Sequence, residues 1–121
     1  MFTVVIDKEL SDERIQDVLT GAFEGGSNYW YDILEYINPN KVKCNHPYIE
    51  LPFIEGCGVV VADAEDPDTK AILNRKSIAK GLKLMANTQA FHFRNILEED
   101  DDCETSDVLL QLALFGEVVF G

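Results

Sequence analysis

The 121-residue sequence contains little positive charge, few cysteines and no long apolar run. Ten Lys and Arg residues stand against 22 Asp and Glu residues, which gives a formal net charge of −12. Nonspecific binding to nucleic acid phosphates needs a basic surface, so we expect no direct nucleic acid partner. No apolar run approaches the roughly 20 residues of a membrane span, and residues 1–10 lack the basic start and apolar stretch of a signal peptide. We therefore expect a soluble, cytoplasmic protein with no membrane partner.

The cysteines argue against a secreted, disulfide-bonded scaffold. Cys44, Cys57 and Cys103 are odd in number, widely spaced and without a CxxC pair, which favours free thiols in a reducing compartment. A structural zinc ion needs four ligands, usually in two close pairs. Cys44 and His46 form one close pair and no second pair follows, so we expect no metal and no other cofactor. Whether Cys57 and Cys103 approach that pair is left open by the sequence.

The negative charge lies in the two ends of the chain. Residues 1–40 and residues 81–121 each hold eight acids and two bases, whereas residues 41–80 hold six of each. If the two ends pack together, the fold has an acidic side and a small basic stripe. The expected basic stripe consists of Lys70, Arg75, Lys76, Lys80 and Lys83.

The apolar pattern predicts one α+β domain over residues 1–121, with a small antiparallel β-sheet packed by four to five helices on one side. Strands are expected at residues 2–6, 57–62 and 70–73, and residues 48–51 alternate as a strand does. Helices are expected to begin at Ser11, at Ser27 (ending before residues 38–40), at Asn74, near Ala90, and at Thr105 or Ser106. The last helix is so apolar that it must be buried in its own core or in a partner. Residues 118–120 then cap the core or add an edge strand.

The corner Gly-Gly-Ser-Asn-Tyr-Trp at residues 25–30 has two interpretations. In one, a ligand approaches the glycine backbone ahead of a helix N-terminus, with Asn28 and Trp30 as a recognition wall. In the other, the glycines adopt positive φ and turn the chain between two helices, while Trp30 and Tyr29 anchor the core. The second interpretation is favoured, because no Lys or Arg is near and the GxxxxGK[ST] spacing is absent.

The acidic segment at residues 98–107 suggests either Ca²⁺ binding or mimicry of nucleic acid, against the ordinary role of a hydrated surface. Asp100, Asp102 and Glu104 fall at the first, third and fifth positions of an EF-hand-like loop. However, Thr105 stands where that loop needs glycine, and Gln111 stands where it needs a bidentate Glu. DNA carries one negative charge per roughly 1.7 Å of its axis, and clustered carboxylates can imitate that field. The candidate partner-binding residues are Glu98, Asp100, Asp101, Asp102 and Glu104, with Asp12 and Glu13 as lesser candidates.

Three segments together resemble a family of small acidic proteins encoded by bacteriophages and prophages. They are residues 22–30, residues 48–53, and residues 106–111 continuing to 114–121. The resemblance implies an accessory protein that acts in the cytoplasm of a bacterial host cell. Phage accessory proteins of this size are often inhibitors of host defence, an analogy that names no mechanism.

The sequence contains no GxSxG, HExxH or GxGxxG motif and no paired-carboxylate signature. We therefore expect a binding protein and not an enzyme, with no catalytic residues. Its acidic surface would dock on a basic, nucleic-acid-binding host protein and block the groove by charge and bulk. One alternative is a self-associating module, such as a homodimer formed through residues 108–119 and the aromatic residues 29–31. Another is a small-molecule or nucleotide binder that uses the corner at residues 25–28 with the basic stripe.

Overall fold

The structure, a computed structural model, describes residues 1–2 and 9–121, and the described chain forms an α+β fold as predicted. Of the strand expected at residues 2–6, only Phe2 is among them, so that prediction lies outside the described residues. The described elements are α1 (Asp12–Gly21), a π-helical turn (Ala22–Gly26), β1 (Tyr31–Ile37), α2 (Pro47–Glu50), a 3-10 turn (Leu51–Phe53), β2 (Gly58–Asp63), β3 (Asp66–Leu73), α3 (Arg75–Thr88), α4 (Ala90–Leu97) and α5 (Cys103–Phe115).

The described strands form an antiparallel sheet in the order β1-β2-β3, with one face in the core. Central strand β2 confirms the buried strand predicted at residues 57–62. The inner face presents two rows with one residue from each strand, Tyr36–Val59–Leu73 and Ile33–Val61–Ala71. The alternate residues of each strand therefore form an outer face on the other side of the sheet.

The helix predicted over residues 27–37 is wrong: residues 31–37 form strand β1. The register of β1 against β2 shifts between Ile33 and Glu35, so Leu34 is an extra residue, as in a β-bulge. The bulge breaks the two-residue alternation, and the apolar positions then follow a spacing that resembles a helix. Pairing with the buried strand β2 decides the conformation, as tertiary context often does for strands.

Residues 47–53 also differ from the alternating strand that residues 48–51 suggest. Pro47 occupies the first position of helix α2, where its fixed φ fits and its missing N–H is not needed. The 3-10 turn continues directly from α2, and its residues Leu51, Pro52 and Phe53 are buried. The alternation of Tyr48, Ile49, Glu50 and Leu51 therefore arises from a helical turn that packs Ile49 and Leu51 against the core.

Two helix starts show how the capping predictions compare with the structure. Asn74 caps α3 as predicted, because its side chain accepts a hydrogen bond from the Ser77 N–H at 3.0 Å. Helix α5 begins earlier than predicted, at Cys103, and its cap is Asp102, whose carboxylate accepts from the Thr105 N–H at 2.8 Å. Thr105 and Ser106 are instead buried inside the first turns of α5.

Helix α5 is the centre of the fold. Every residue from 105 to 114 is buried, and α5 packs against α1, α3, α4 and β3. The expected burial of this apolar helix is therefore confirmed, and it occurs in the protein's own core. Residues 108–114 consequently do not offer the surface on which the self-association alternative depended. At the end of the helix, Gly116 adopts φ +75, a left-handed cap that glycine favours.

The close approach of α3 to α5 depends on Gly81. A Cβ atom at this position would lie 2.8 Å from the backbone N and Cα of Ala113, which is closer than carbon atoms can approach. Alanine in a helix interior is normally more stable than glycine by about 1 kcal/mol. The contact with α5 should reverse that preference at Gly81.

We predict that Gly81→Ala lowers the free energy of unfolding by about 1–3 kcal/mol, because the helices must separate to admit the methyl group. Urea unfolding followed by circular dichroism measures the change. The matched control is Ala79→Gly at an exposed position of the same helix, which should cost about 1 kcal/mol through helix propensity alone. If Gly81→Ala stabilised the protein, α3 and α5 would have space for the methyl group and the predicted clash would be wrong.

Candidate functional site: an acidic surface

The structure brings the two acidic ends of the chain together. The Arg14 side chain, on α1, forms an ion pair with Asp101 in the loop between α4 and α5, and its Nε donates to the carbonyl of Ile96 at 3.2 Å. Both partners of the ion pair are mostly shielded from solvent, with side chains 14% and 17% exposed. This contact joins segments that are 87 residues apart in sequence.

The start of α1, the residues just before it and the α4–α5 loop together form what we call the acidic surface. Its residues share one property, an exposed carboxylate, and are Glu9, Glu13, Glu98, Glu99 and Asp100. Glu9 and Glu99 line the same depression of about 300 Å³, whose floor includes Ile96 and Leu97. Glu13, Glu98 and Asp100 were predicted from the sequence as partner-binding residues, whereas Glu9 and Glu99 were not. Only knowledge of the fold would have placed Glu9 beside the loop.

Three of the predicted partner-binding residues are already engaged within the protein. Asp101 is held by Arg14, and Asp12 is paired with Arg75 on the surface. Asp102 caps α5, and the hydrogen bond from the Thr105 N–H holds the pKa of Asp102 below its usual value. These carboxylates contribute negative potential, but their first role is to fix the loop.

Two further acids of this segment contact residues outside the acidic surface. The Glu104 side chain is 77% exposed, and its Oε1 lies 4.0 Å from Nε2 of His92 on α4. Asp107, which the acidic segment at residues 98–107 includes, is buried and faces the core. It therefore adds nothing to a surface that a partner could touch.

Asp107 instead joins α5 to the corner before β1. Its Oδ1 accepts hydrogen bonds from Ser27 Oγ at 2.7 Å and Trp30 Nε1 at 2.8 Å. Its Oδ2 accepts from Tyr29 OH at 2.6 Å and from Gln111 Nε2 at 3.1 Å. A buried carboxylate needs such partners to replace water, so this network fixes the corner against α5. An Asp–Gln pair four residues apart in an otherwise apolar helix was the sequence signal for it.

Gln111 extends the same network to the end of the chain. Its Oε1 accepts from the backbone N–H groups of Val119 and Phe120 at 2.7 and 2.8 Å, and its Nε2 donates to the Phe120 carbonyl at 3.1 Å. The Phe120 ring stacks on Trp30 with centroids 4.7 Å apart. Phe120 therefore caps the core, one of the two expected outcomes for residues 118–120, whereas Val118 and Val119 are exposed; the segment forms no strand.

The glycine corner is structural. A Cβ atom on Gly26 would lie 2.2 Å from the carbonyl oxygen of Cys103, so glycine is required where this turn meets the start of α5. Trp30 is buried as expected, but the corner leads into a strand and not into a second helix. The other expectations for the corner are wrong: Tyr29 is 58% exposed, and neither glycine has a positive φ. Lys80 of the basic stripe lies near Gly116 at the other end of α5, about 20 Å away at 1.5 Å per residue. The corner and this part of the stripe do not form one site.

The cysteines and histidines form no metal centre among the described residues, where no group of three His, Cys, Asp or Glu side chains has suitable geometry. Desolvation and the Glu50 carboxylate raise the pKa of the Cys44 thiol, which disfavours a reactive thiolate. The His92 Nδ1 is 2.8 Å from Thr105 Oγ1, so that ring is tied to α5.

No protein family, curated protein or solved structure matched the chain. Among the described residues, no helix has the length and apolar character needed to cross a membrane.

We predict that Asp107→Asn destabilises the protein by about 2–3 kcal/mol, because the amide nitrogen replaces an acceptor and leaves buried donors without a partner. Chemical denaturation measures the loss. The control is Glu117→Gln, which also replaces a carboxylate by an amide but at an exposed position. It should change the free energy of unfolding little. Equal losses in the two variants would contradict the role of Asp107 in fixing the corner.

The same network predicts a pH dependence through Tyr29. Desolvation and the hydrogen bond to Asp107 raise the pKa of Tyr29 to about 12 from its ordinary value of 10.0. Between these values the unfolded chain has lost a proton that the folded protein retains, so stability falls as pH rises. Urea midpoints at about pH 9 and about pH 11 should therefore differ less in Tyr29→Phe than in the wild type. An equal difference in both proteins would exclude this effect.

Proposed function

We propose that the protein is a binding protein whose acidic surface docks on the basic groove of a nucleic-acid-processing protein. The observation that supports this proposal is the Arg14–Asp101 contact, which joins the two acidic ends of the chain into one surface. The resemblance of three segments to bacteriophage proteins supports a bacterial host cell as its place of action and host defence as its target. We propose no catalytic role.

The charge arrangement supports docking more than simple hydration. Glu9, Glu13, Glu98, Glu99 and Asp100 are exposed around one end of α1 and the α4–α5 loop. Like charges held close together repel, and this repulsion is relieved when a partner's cations approach. The fold holds these carboxylates in place through the Arg14 contacts and the Asp102 cap. A preorganised set of charges loses less conformational entropy on binding than a flexible tail would.

The array resembles the phosphates of nucleic acid in its chemistry, since carboxylate and phosphate oxygens accept from the same Arg and Lys donors. A groove that binds phosphates is lined with such donors. Occupation of that groove by the acidic surface would exclude nucleic acid both electrostatically and sterically. The proposed mechanism is therefore competitive, and nucleic acid should displace the protein from its partner.

The test variant is Glu98→Lys with Asp100→Lys, because these side chains are exposed and the structural acids Asp101 and Asp102 stay in place. We expect this variant to lose at least about tenfold in affinity for a basic protein captured from bacterial lysate, since like charges would then face each other. Binding should weaken with added salt, which shortens the Debye length from about 10 Å at 0.1 M to about 3 Å at 1 M. Duplex DNA should compete with the wild-type protein.

The matched control is Glu65→Lys with Asp68→Lys, which makes the same change in net charge at two exposed positions of the β2–β3 hairpin, one in its turn and one in β3. It should retain binding and an unchanged unfolding transition. Equal losses in both double variants would mean that only net charge matters. Capture that DNA does not reverse would contradict the competitive mechanism.

A further inference from the structure

The outer face of the sheet carries an apolar centre, in which the half-buried Val60 lies between the exposed Leu34 and Ile72 and beside the fully buried Ala62. Val60 of the central strand β2 lies opposite Leu34 and Glu35 of the bulge in β1, and it pairs with Ile72 of β3 on its other side. The side chains of Leu34 and Ile72 are 41% and 45% exposed. Ile72 also borders a depression of about 470 Å³ that includes Ile37. Apolar side chains gathered on one face of a sheet are typical of an interaction surface.

Charges of opposite sign lie on the two sides of this apolar centre. Asp32 of β1 and Lys70 of β3 both pair with Ala62 of β2, so the three residues form one row across the sheet. At two strand spacings, the backbones at Asp32 and Lys70 are about 10 Å apart. Among the described residues, neither side chain takes part in an ion pair. Glu35 adds a negative charge on the β1 side, and Lys76 follows β3 with a positive one. The acids of β3, Asp66 and Asp68, precede Lys70 at the end of the strand next to the hairpin turn.

We propose that the outer face binds the outer face of a second copy of the chain, related by a two-fold axis parallel to β2. This rotation places β1 of one copy over β3 of the other, as in sheets that pack face to face with aligned strands. Because Asp32 and Lys70 lie in the same row, each Asp32 then faces the Lys70 of the partner copy. The dimer contains this charge pair twice, on either side of a shared apolar centre, which is the self-complementarity that an isologous interface requires.

The distribution of charge favours a second copy over an acidic or basic partner. A uniformly charged partner would match one side of the face and be repelled by the other. Two chains with a net charge of −12 repel each other, so they can associate only through a surface where the charge is nearly balanced. The acidic surface lies at the start of α1 and on the loop that follows α4, and both helices pack on α5, whereas β3 contacts α5 from the sheet. A dimer through the outer face leaves both acidic surfaces exposed.

The contact is small. Three strands offer less than the about 800 Å² per partner of a standard interface. We therefore expect a dissociation constant of roughly 10 µM to 1 mM, in the range of weak complexes. The proposal does not depend on the proposed function, because the two surfaces share no residue.

The test is a reciprocal charge exchange followed by sedimentation equilibrium at protein concentrations from about 10 µM to about 1 mM. Asp32→Lys and Lys70→Asp should each weaken association at least about tenfold, because each places like charges across both pairs. The double variant has the same composition and net charge as the wild type, and it should associate within about threefold of the wild type. Glu13→Lys changes the net charge as Asp32→Lys does, but it lies on the acidic surface and should not weaken association.

Near-ultraviolet circular dichroism checks that each variant is folded. We expect all of them to fold, because the substituted positions are exposed. Restoration in the double variant after loss in both single variants supports the proposed axis, since a merely unfolded single variant would not be rescued. A wild-type protein that stays monomeric throughout the concentration range overturns the proposal. A dimer that the single exchanges do not weaken, or that the double exchange does not restore, overturns it as well.

Discussion

A carboxylate buried in the central helix is the constraint on which the arrangement of the other elements depends. Asp107 lies within a stretch of α5 that is buried from residue 105 to residue 114, so its charge must be met by donors from the protein. Ser27, Tyr29 and Trp30 supply them, and this places the start of β1 against α5. Every polar side-chain atom that is fully buried among the described residues has a hydrogen-bond partner. The polar groups of α5 therefore determine where the start of β1 packs, and they also contribute to the stability of the fold.

Small residues allow the other elements to approach α5 closely enough for these bonds to form. Gly26 meets the backbone of Cys103 at the start of α5, and Gly81 meets Ala113 near its end. A side chain at either position would push away the corner before β1 or helix α3. The same constraint explains why the glycine corner, which looks like a ligand loop in the sequence, is part of the packing. Its backbone approaches a helix of the protein and not a ligand.

The sequence predicted the elements whose signals are local. Asn74 capping α3 and the apolar run of β2 both follow from nearby residues. It failed at β1, because a bulge at Leu34 disguised the alternation and the pairing partner is distant in sequence. The acidic surface was predicted in part: the loop was identified, but its approach to α1 depends on Arg14 reaching Asp101. Nor does local pattern distinguish structural acids such as Asp102 from carboxylates that remain exposed.

This division among the acids bears directly on function. Asp107 accepts hydrogen bonds inside the core, and Asp101 and Asp102 hold the α4–α5 loop. Asp12 pairs with Arg75, so each of these four acids has a structural role. The exposed Glu9, Glu98, Glu99 and Asp100 have no such role in the described contacts. Hydration alone would be served as well by carboxylates spread over the protein, without the repulsion that comes from gathering them. Their gathering around a loop that is held by Arg14 and by the Asp102 cap supports the proposal that this surface docks on a partner.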